Sequence, residues 1–425
     1  MITAICIVIF IALSAWEIKL LYANSVQMRL PYGSRQLVEL TGNEALVIVL
    51  FATAYIGLTP VLSLRLGFLE MLCILGLIRC RNKIIISPPI ILFCIFILWE
   101  LIGIFYTPNK EFGIRMILKY LYPMLFALFT AQVVKNGEIF ITSGLWARRI
   151  ATIGIIMMLL PGLKLITGVV YWFHAALVTS MISLVIFSLA LVEFSDEKKK
   201  NLWWGIALCL PCFFFVYRTD IFGTAIALST FFLVKYRIKA LPIVAIIGLL
   251  GLCSMFYIPA VKNKMFLDPE KVTITDYLTG NIDEDNIRTN MRKFAWEDVT
   301  QKFYNGHEIV GSGTGRVQTF YYSEVTDSRK GGQLHNDLLV LKCDNGLIGL
   351  ILFVIAYFSI ALHCIYLYHN SSNPYTRMAA LVAGASLMGV FVTMYSDNTL
   401  SYSMVTQSFS WGCYGMALSF KRHLE

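Results

Sequence analysis

Apolar runs of roughly bilayer length, about 20 residues each, follow one another along this chain with short polar breaks between them. They lie near 2–22, 44–59, 61–78, 87–106, 112–134, 147–168 and 171–194, then near 202–217, 219–235, 240–258, 336–363, 377–396 and 400–420. The pattern is broken at length once, between 259 and 335, where Arg, Lys, Asp, Glu, His and Tyr crowd a stretch that lipid would reject. Runs this continuous lack the two-residue alternation of a membrane barrel, and helices satisfy their own backbone hydrogen bonds in lipid. The pattern predicts an all-α, polytopic transmembrane bundle of about 12–13 spans. Residues 1–258 would form a first bundle, 259–335 a large loop with short helices, and 336–425 the closing helices of the same membrane unit. Thr59-Pro60 either separates two short spans or kinks one long one. Met1 to Trp16 has no basic lead and no small-residue cleavage site, so it reads as a retained span.

Composition agrees with that class: 57% of residues are hydrophobic and 14% charged, far from the balance of soluble domains. A net charge of +9 raises the question of nucleic acid, but the basic residues sit in short connections, which is a topology signal. Arg79, Arg81 and Lys83, then Arg148 and Arg149, Lys198 to Lys200, Lys235, Arg237 and Lys239, and finally Lys421 and Arg422 mark alternate connections as cytoplasmic. The C-terminus falls inside. The connections at Thr107 to Lys110, Lys164, Arg218 to Asp220, the long loop and Ser396 to Asn398 then share the outer face, and with thirteen spans the N-terminus does too. Six of the ten cysteines, Cys6, Cys73, Cys94, Cys209, Cys212 and Cys253, lie in apolar runs, as small buried hydrophobes do.

Candidate chemistry gathers on that outer face. Arg218 is squeezed between two apolar runs, as a snorkelling anchor beside Asp220 or as a fork for a phosphate or diphosphate. Between Arg288 and Phe303 the apolar residues Met291, Phe294, Ala295 and Val299 recur at helical spacing. This predicts an amphipathic helix carrying Arg292 and Trp296 on one face. Arg288, Arg292 and Lys293 form a second basic cluster, a solvated face or one half of an anion clamp with Arg218. Gly311-Ser-Gly-Thr-Gly315 is a close turn whose Gly313 and Gly315 would support the site or face a sugar or anion. It lacks the Gly-Lys-Ser/Thr ending of a nucleotide loop.

His335 precedes a span, so its imidazole meets the outer surface, where a neutral imidazole suits proton abstraction from a hydroxyl. Asn336 and Asp337 would orient it or bind sugar hydroxyls. Asp327 and Glu324 compete as the base, and Asp397 and Asn398 from the last outer connection would join the same cavity. Neither HxxxH nor HExxH is present on the outer side, so neither metal nor cofactor is expected.

These residues, in this order, resemble the O-antigen polymerase and O-antigen ligase superfamily of bacterial surface-polysaccharide enzymes. The resemblance runs from about Leu202 to the end. It rests on Tyr217-Arg218-Thr219, the Arg292 to Trp296 spacing, Gly311 to Gly315, His335-Asn336-Asp337-Leu338, and Asp344-Asn345-Gly346 with Gly349. Tyr217 stands where the family often has Ser, and Asp344 where it often has Glu. Either Arg288 or Arg292 matches the second family arginine, and the spacing to Trp296 favours Arg292. The resemblance implies a glycosyltransferase of the bacterial inner membrane that uses undecaprenyl-diphosphate-linked glycan on the outer side, without nucleotide or metal. Arg218, Arg292 and Arg288 would hold the diphosphate and His335 would act as base. It also implies a chain-length regulator and a flippase as partners. Polymerase is the first reading and ligase the alternative. A polysaccharide transporter would place its polar residues at the bilayer midplane in matching halves, a pattern this sequence does not show.

Overall fold

Helix starts in this chain are written by Asn and Thr. The computed structural model describes residues 2–30, 37–80, 84–171, 174–281, 286–288, 292–324 and 334–425. Helix α1 (Ile2–Tyr22) is followed by a two-stranded antiparallel hairpin, β1 (Val26–Arg29) with β2 (Leu37–Leu40), Val26 opposite Leu40, a small departure from the all-helical expectation. Then come α2 (Gly42–Thr53), α3 (Leu62–Arg79), α4 (Pro88–Gly103), α5 (Lys110–Val133), α6 (Gly137–Leu159), α7 (Lys164–Val170) and α8 (His174–Phe194). Further on are α9 (Lys198–Phe214), α10 (Arg218–Tyr236) and α11 (Leu241–Tyr257). Thr41 caps α2 in a reciprocal pair with Glu44, and Asn109, Asn136, Asn336 and Asn373 each accept backbone N–H groups at a helix start.

The polar stretch folds into short helices, α12 (Pro259–Met265), α13 (Ile274–Thr279), α14 (Arg292–Val299) and α15 (Arg316–Thr319). The chain then returns to the bundle as α16 (Asp337–Asn370), α17 (Pro374–Thr393), α18 (Ser403–Thr406) and α19 (Ser408–His423).

Among the described residues, eight helical segments are long and apolar enough to cross a membrane, the longest being the 40-residue α10–α11 pair, Arg218–Tyr257. The chain is a multi-pass, all-α membrane protein. That count is lower than the expected 12–13 because α10–α11 holds two of the apolar runs, while α2 and α4 are apolar helices of only 12 and 16 residues. The helices α9 and α19, of 17 and 16 residues, also fall short of bilayer length.

One span is displaced from its expected position. The run placed at 147–168 is α6, which starts ten positions earlier because Asn136 Oδ1 accepts the Glu138 N–H at 2.9 Å. Arg148 and Arg149 are therefore within a helix rather than in a connection. Arg148 is buried, bonded to Ser188 and Asn201, with its guanidinium over the Trp204 ring. Arg81 and Lys83, from the same charge argument, lie outside the described residues, as do Met291 and Asp327.

The core is organised around α19, whose residues from Ser408 to Phe420 are all buried. Its glycines permit the close approach: a Cβ at Gly412 would meet the Phe51 ring and one at Gly415 the Ala127 carbonyl. Thr130 Oγ1 donates to Gly412 O at 3.0 Å. Fully buried between helices, Arg65 of α3 grips Glu17 of α1 through both guanidinium arms at 2.5 and 2.6 Å, with Thr53 of α2 donating to the same carboxylate at 3.0 Å. Charge buried in lipid is retained where it is paired in this manner.

At one end of the bundle the loop closes over the connections between helices. Tyr106 Oη donates to Val310 O, Thr314 N to Gly103 O, and Lys264 Nζ to Val216 O. A small apolar core of Val299, Phe303, Val317, Leu334, Val340 and Cys343 fastens the loop to the start of α16. Two of the outer connections inferred from charge thus meet the loop, and a third does so at Ser396, whose carbonyl accepts from Arg292 Nη1. Lys164 does not join them, because α7 packs against Leu58, whose N–H donates to Val170 O.

Candidate active site

Arg292 opens α14, and its position is fixed by a bond from Nη1 to the Ser396 carbonyl at 2.7 Å. One turn further on, Trp296 donates from Nε1 to Leu334 O at 2.9 Å and sets its ring edge-on to Tyr395, 5.7 Å between centroids. The helical spacing of Arg292 and Trp296 therefore delivers both to the turn after α17. The helix is shorter than the periodicity suggested. Arg288 lies ahead of it in extended backbone, where its N–H donates to Met265 O at 2.8 Å and its side chain is exposed.

Arg218 reaches the same region from α10. Both of its terminal nitrogens lie 3.4 Å from the Arg288 carbonyl. The alternative of an Arg218–Asp220 anchor is not what forms, since Asp220 is buried and accepts from Thr179 Oγ1 at 2.7 Å. Next to it, Thr219 and Ser396 hydroxyls are 2.6 Å apart, tying the start of α10 to the turn that Arg292 holds.

Lys264 completes a cationic face that the sequence alone did not reveal. It lies over the Tyr217 ring, 5.3 Å from Nζ to centroid, and donates to Val216 O at 2.7 Å. Burial, then the Arg218 and Arg292 charges, hold its pKa below the ordinary lysine value. Burial also lowers that of Arg292, with the Asp397 carboxylate opposing. Lys264 bonds to Val216, two positions before Arg218, and Thr219 bonds to the Ser396 whose carbonyl holds Arg292, so the three groups share one face. Among the described residues, each of the three bonds to a backbone carbonyl rather than to a carboxylate.

His335 stands beside this face in a left-handed backbone conformation, φ 51°. Such conformations in non-glycine residues cluster at functional sites. Its Nδ1 is 3.2 Å from Asp397 Oδ1 and 3.4 Å from Asn398 Nδ2. The imidazole is 41% exposed while Asp397 is 17% exposed, so the ring is reachable and its partner is shielded. With Nδ1–H donating to Asp397, Nε2 is left as the acceptor.

Asn336 and Asp337, expected to orient the histidine, hold its surroundings instead of touching the ring. Asn336 caps α16 by accepting the Leu339 N–H at 2.9 Å. Asp337 is buried and accepts from Thr399 Oγ1 at 2.9 Å and Leu400 N at 2.7 Å, which pins the turn carrying Asp397 and Asn398.

The glycine turn is committed to the fold. Gly313 N donates to Asp344 O at 2.8 Å, Gly315 N to Asp344 Oδ2 and Val317 N to Oδ1, both at 2.9 Å. Thr314 bridges Glu100 O and Asn345 Oδ1, and Asn345 donates to Glu100 Oε1 at 2.7 Å. The N–H groups of Gly313 and Gly315 are occupied, so these residues brace α16 behind the site.

Residues 217–354 match the family described as O-antigen ligase. Over these residues the chain is similar to the O-antigen ligase and polymerase superfamily. The match begins one residue before Arg218 and spans Lys264, Arg292, the glycine turn and His335, leaving the turn with Asp397 outside it. Members of this superfamily are enzymes of glycan transfer in surface-polysaccharide biosynthesis. A comparison with curated proteins found no match.

Proposed function

We propose that this chain transfers a glycan from undecaprenyl diphosphate to a sugar hydroxyl, polymerising lipid-linked repeat units of O-antigen or a related surface polysaccharide. The reaction would take place on the outer face of the bacterial inner membrane, with the C-terminus in the cytoplasm. The supporting observation is the meeting of Arg218, Lys264 and Arg292 with one reachable imidazole backed by a carboxylate.

In this reading the acceptor hydroxyl oxygen attacks the anomeric carbon and gives its proton to His335 Nε2. The carbon–oxygen bond to the diphosphate breaks, and its electron pair leaves on the diphosphate. Attack opposite the leaving group inverts the anomeric centre. Diphosphate is already a competent leaving group, so cations aimed at its developing charge serve better than a general acid, and they supply the charge that a metal otherwise would. Asp397 keeps the imidazole in the useful tautomer and stabilises the imidazolium.

The matched family description favours a second reading, transfer of a finished glycan to a lipid A core. Alanine variants of Arg218, Arg292 and His335 in the native host, confirmed in the membrane and followed by a surface-glycan gel, separate the two. Core carrying a single repeat supports the polymerase. Long chains left on undecaprenyl diphosphate support the ligase, and an unchanged ladder contradicts both.

A further inference from the structure

At the opposite end of the bundle lies a second cationic chamber that this glycan chemistry does not use. Its volume is about 610 Å³, and it opens between α6, the end of α8, the start of α9 and the β1 strand. Helix α9 runs from this chamber at Lys198 to the end of the bundle that carries Arg218. Its 17 residues make the separation roughly 25 Å at 1.5 Å per residue. The two sites are distinct.

Among the described residues, four cations line the chamber, Arg29, Arg148, Arg149 and Lys200, together with one carboxylate, that of Glu197. Glu197 is engaged by Lys200 at 2.8 Å. Arg148 is 5% exposed, and its Nη1 bonds only to neutral groups, Ser188 Oγ at 3.3 Å and Asn201 Oδ1 at 3.2 Å. A guanidinium buried at the edge of lipid with uncharged partners calls for an anion. Two indoles frame the chamber. Trp204 lies under Arg148 at 4.7 Å and Trp146 beside Arg149 at 5.3 Å, the amphipathic rings expected at headgroup depth.

We propose that this chamber is an anion site for the phosphate of a membrane lipid headgroup, with the arginine forks on the phosphate oxygens and the acyl chains along the exposed side of α6. Basic recesses between membrane helices recognise anionic headgroups by this chemistry. A free phosphate offers the same oxygens without the acyl chains, and the test separates the two.

The intact protein, purified in detergent, is incubated with phosphatidylglycerol or phosphatidylcholine, and retained lipid is counted by native mass spectrometry. Arg149 is exposed, so Arg149→Gln leaves the buried Arg148 contacts in place. Arg422→Gln, at the same end of the bundle but outside the chamber, is the control. The wild type and Arg422→Gln are expected to retain phosphatidylglycerol at least threefold over phosphatidylcholine, and Arg149→Gln to lose that preference. Equal retention of the two lipids by the wild type, or an unchanged preference in Arg149→Gln, overturns the proposal. Displacement of phosphatidylglycerol by an equal concentration of inorganic phosphate also overturns the lipid assignment.

Discussion

Nδ1 of His335 lies 3.2 Å from Oδ1 of Asp397, across 62 positions of sequence and from two different turns of the chain. Each turn is fixed separately: His335 by the Asn336 cap of α16, Asp397 by the hold of Asp337 on Thr399 and Leu400. A base that depends on a neighbour for its tautomer loses rate when the neighbour becomes an amide. Asp397→Asn should lower the rate of glycan transfer by roughly a hundredfold or more with little change in donor KM. Initial-rate kinetics on purified protein check this. A loss confined to KM would contradict the role.

Arg292 should tolerate lysine poorly. Its guanidinium holds the Ser396 carbonyl with one nitrogen and presents the rest of its fork to the recess, and an ammonium cannot do both. Arg292→Lys is expected to lower kcat/KM for the lipid-linked donor about ten- to hundredfold, equivalent to about 1.4–2.7 kcal/mol at 1.36 kcal/mol per factor of ten. A wild-type value would show that charge alone suffices.

Lys264 should set the alkaline limb. Burial and the Arg218 and Arg292 charges hold its pKa below that of a free lysine. Donor binding needs the protonated form, so affinity should fall as pH rises through that lowered value, ahead of the ordinary lysine range near about 10.4. Lys264→Arg keeps its charge and should move the limb to higher pH. Identical limbs in the two proteins would remove Lys264 from the site.

The glycine turn should report on stability more than on chemistry. Gly313 has φ 110°, and a Cβ there would come within 2.7 Å of the Thr107 backbone. Gly313→Ala is expected to cost about 2 kcal/mol or more, visible as a lower Tm in detergent. Asp344→Ala strands the Gly315 and Val317 N–H groups, at about 1–3 kcal/mol for each buried donor. Normal melting of both variants with lost activity would argue instead for a direct role of the turn.

Hydropathy revealed the fold class because lipid forces helices to be continuous and apolar. It failed at α6, where Arg148 looked like a connection. Burial of a guanidinium on Trp204, Ser188 and Asn201 is a tertiary event that no local pattern announces. The spacing of Arg292 and Trp296 was readable because one helix carries both. Lys264 was not, since its role comes from packing over Tyr217, 47 positions earlier, and its neighbourhood reads as a polar linker. The glycine turn showed its conformation in advance but not its partner, because Asp344 arrives from another helix.

The central claim is that His335 and the cationic recess act together on a lipid-linked diphosphate. Its most direct measurement is glycan transfer by purified, detergent-solubilised protein from a synthetic undecaprenyl-diphosphate donor, comparing the wild type with His335→Ala and Arg218→Ala. Joined glycan and released undecaprenyl diphosphate are expected from the wild type, with transfer reduced at least a hundredfold in both folded variants. Transfer by either variant at the wild-type rate would contradict the claim.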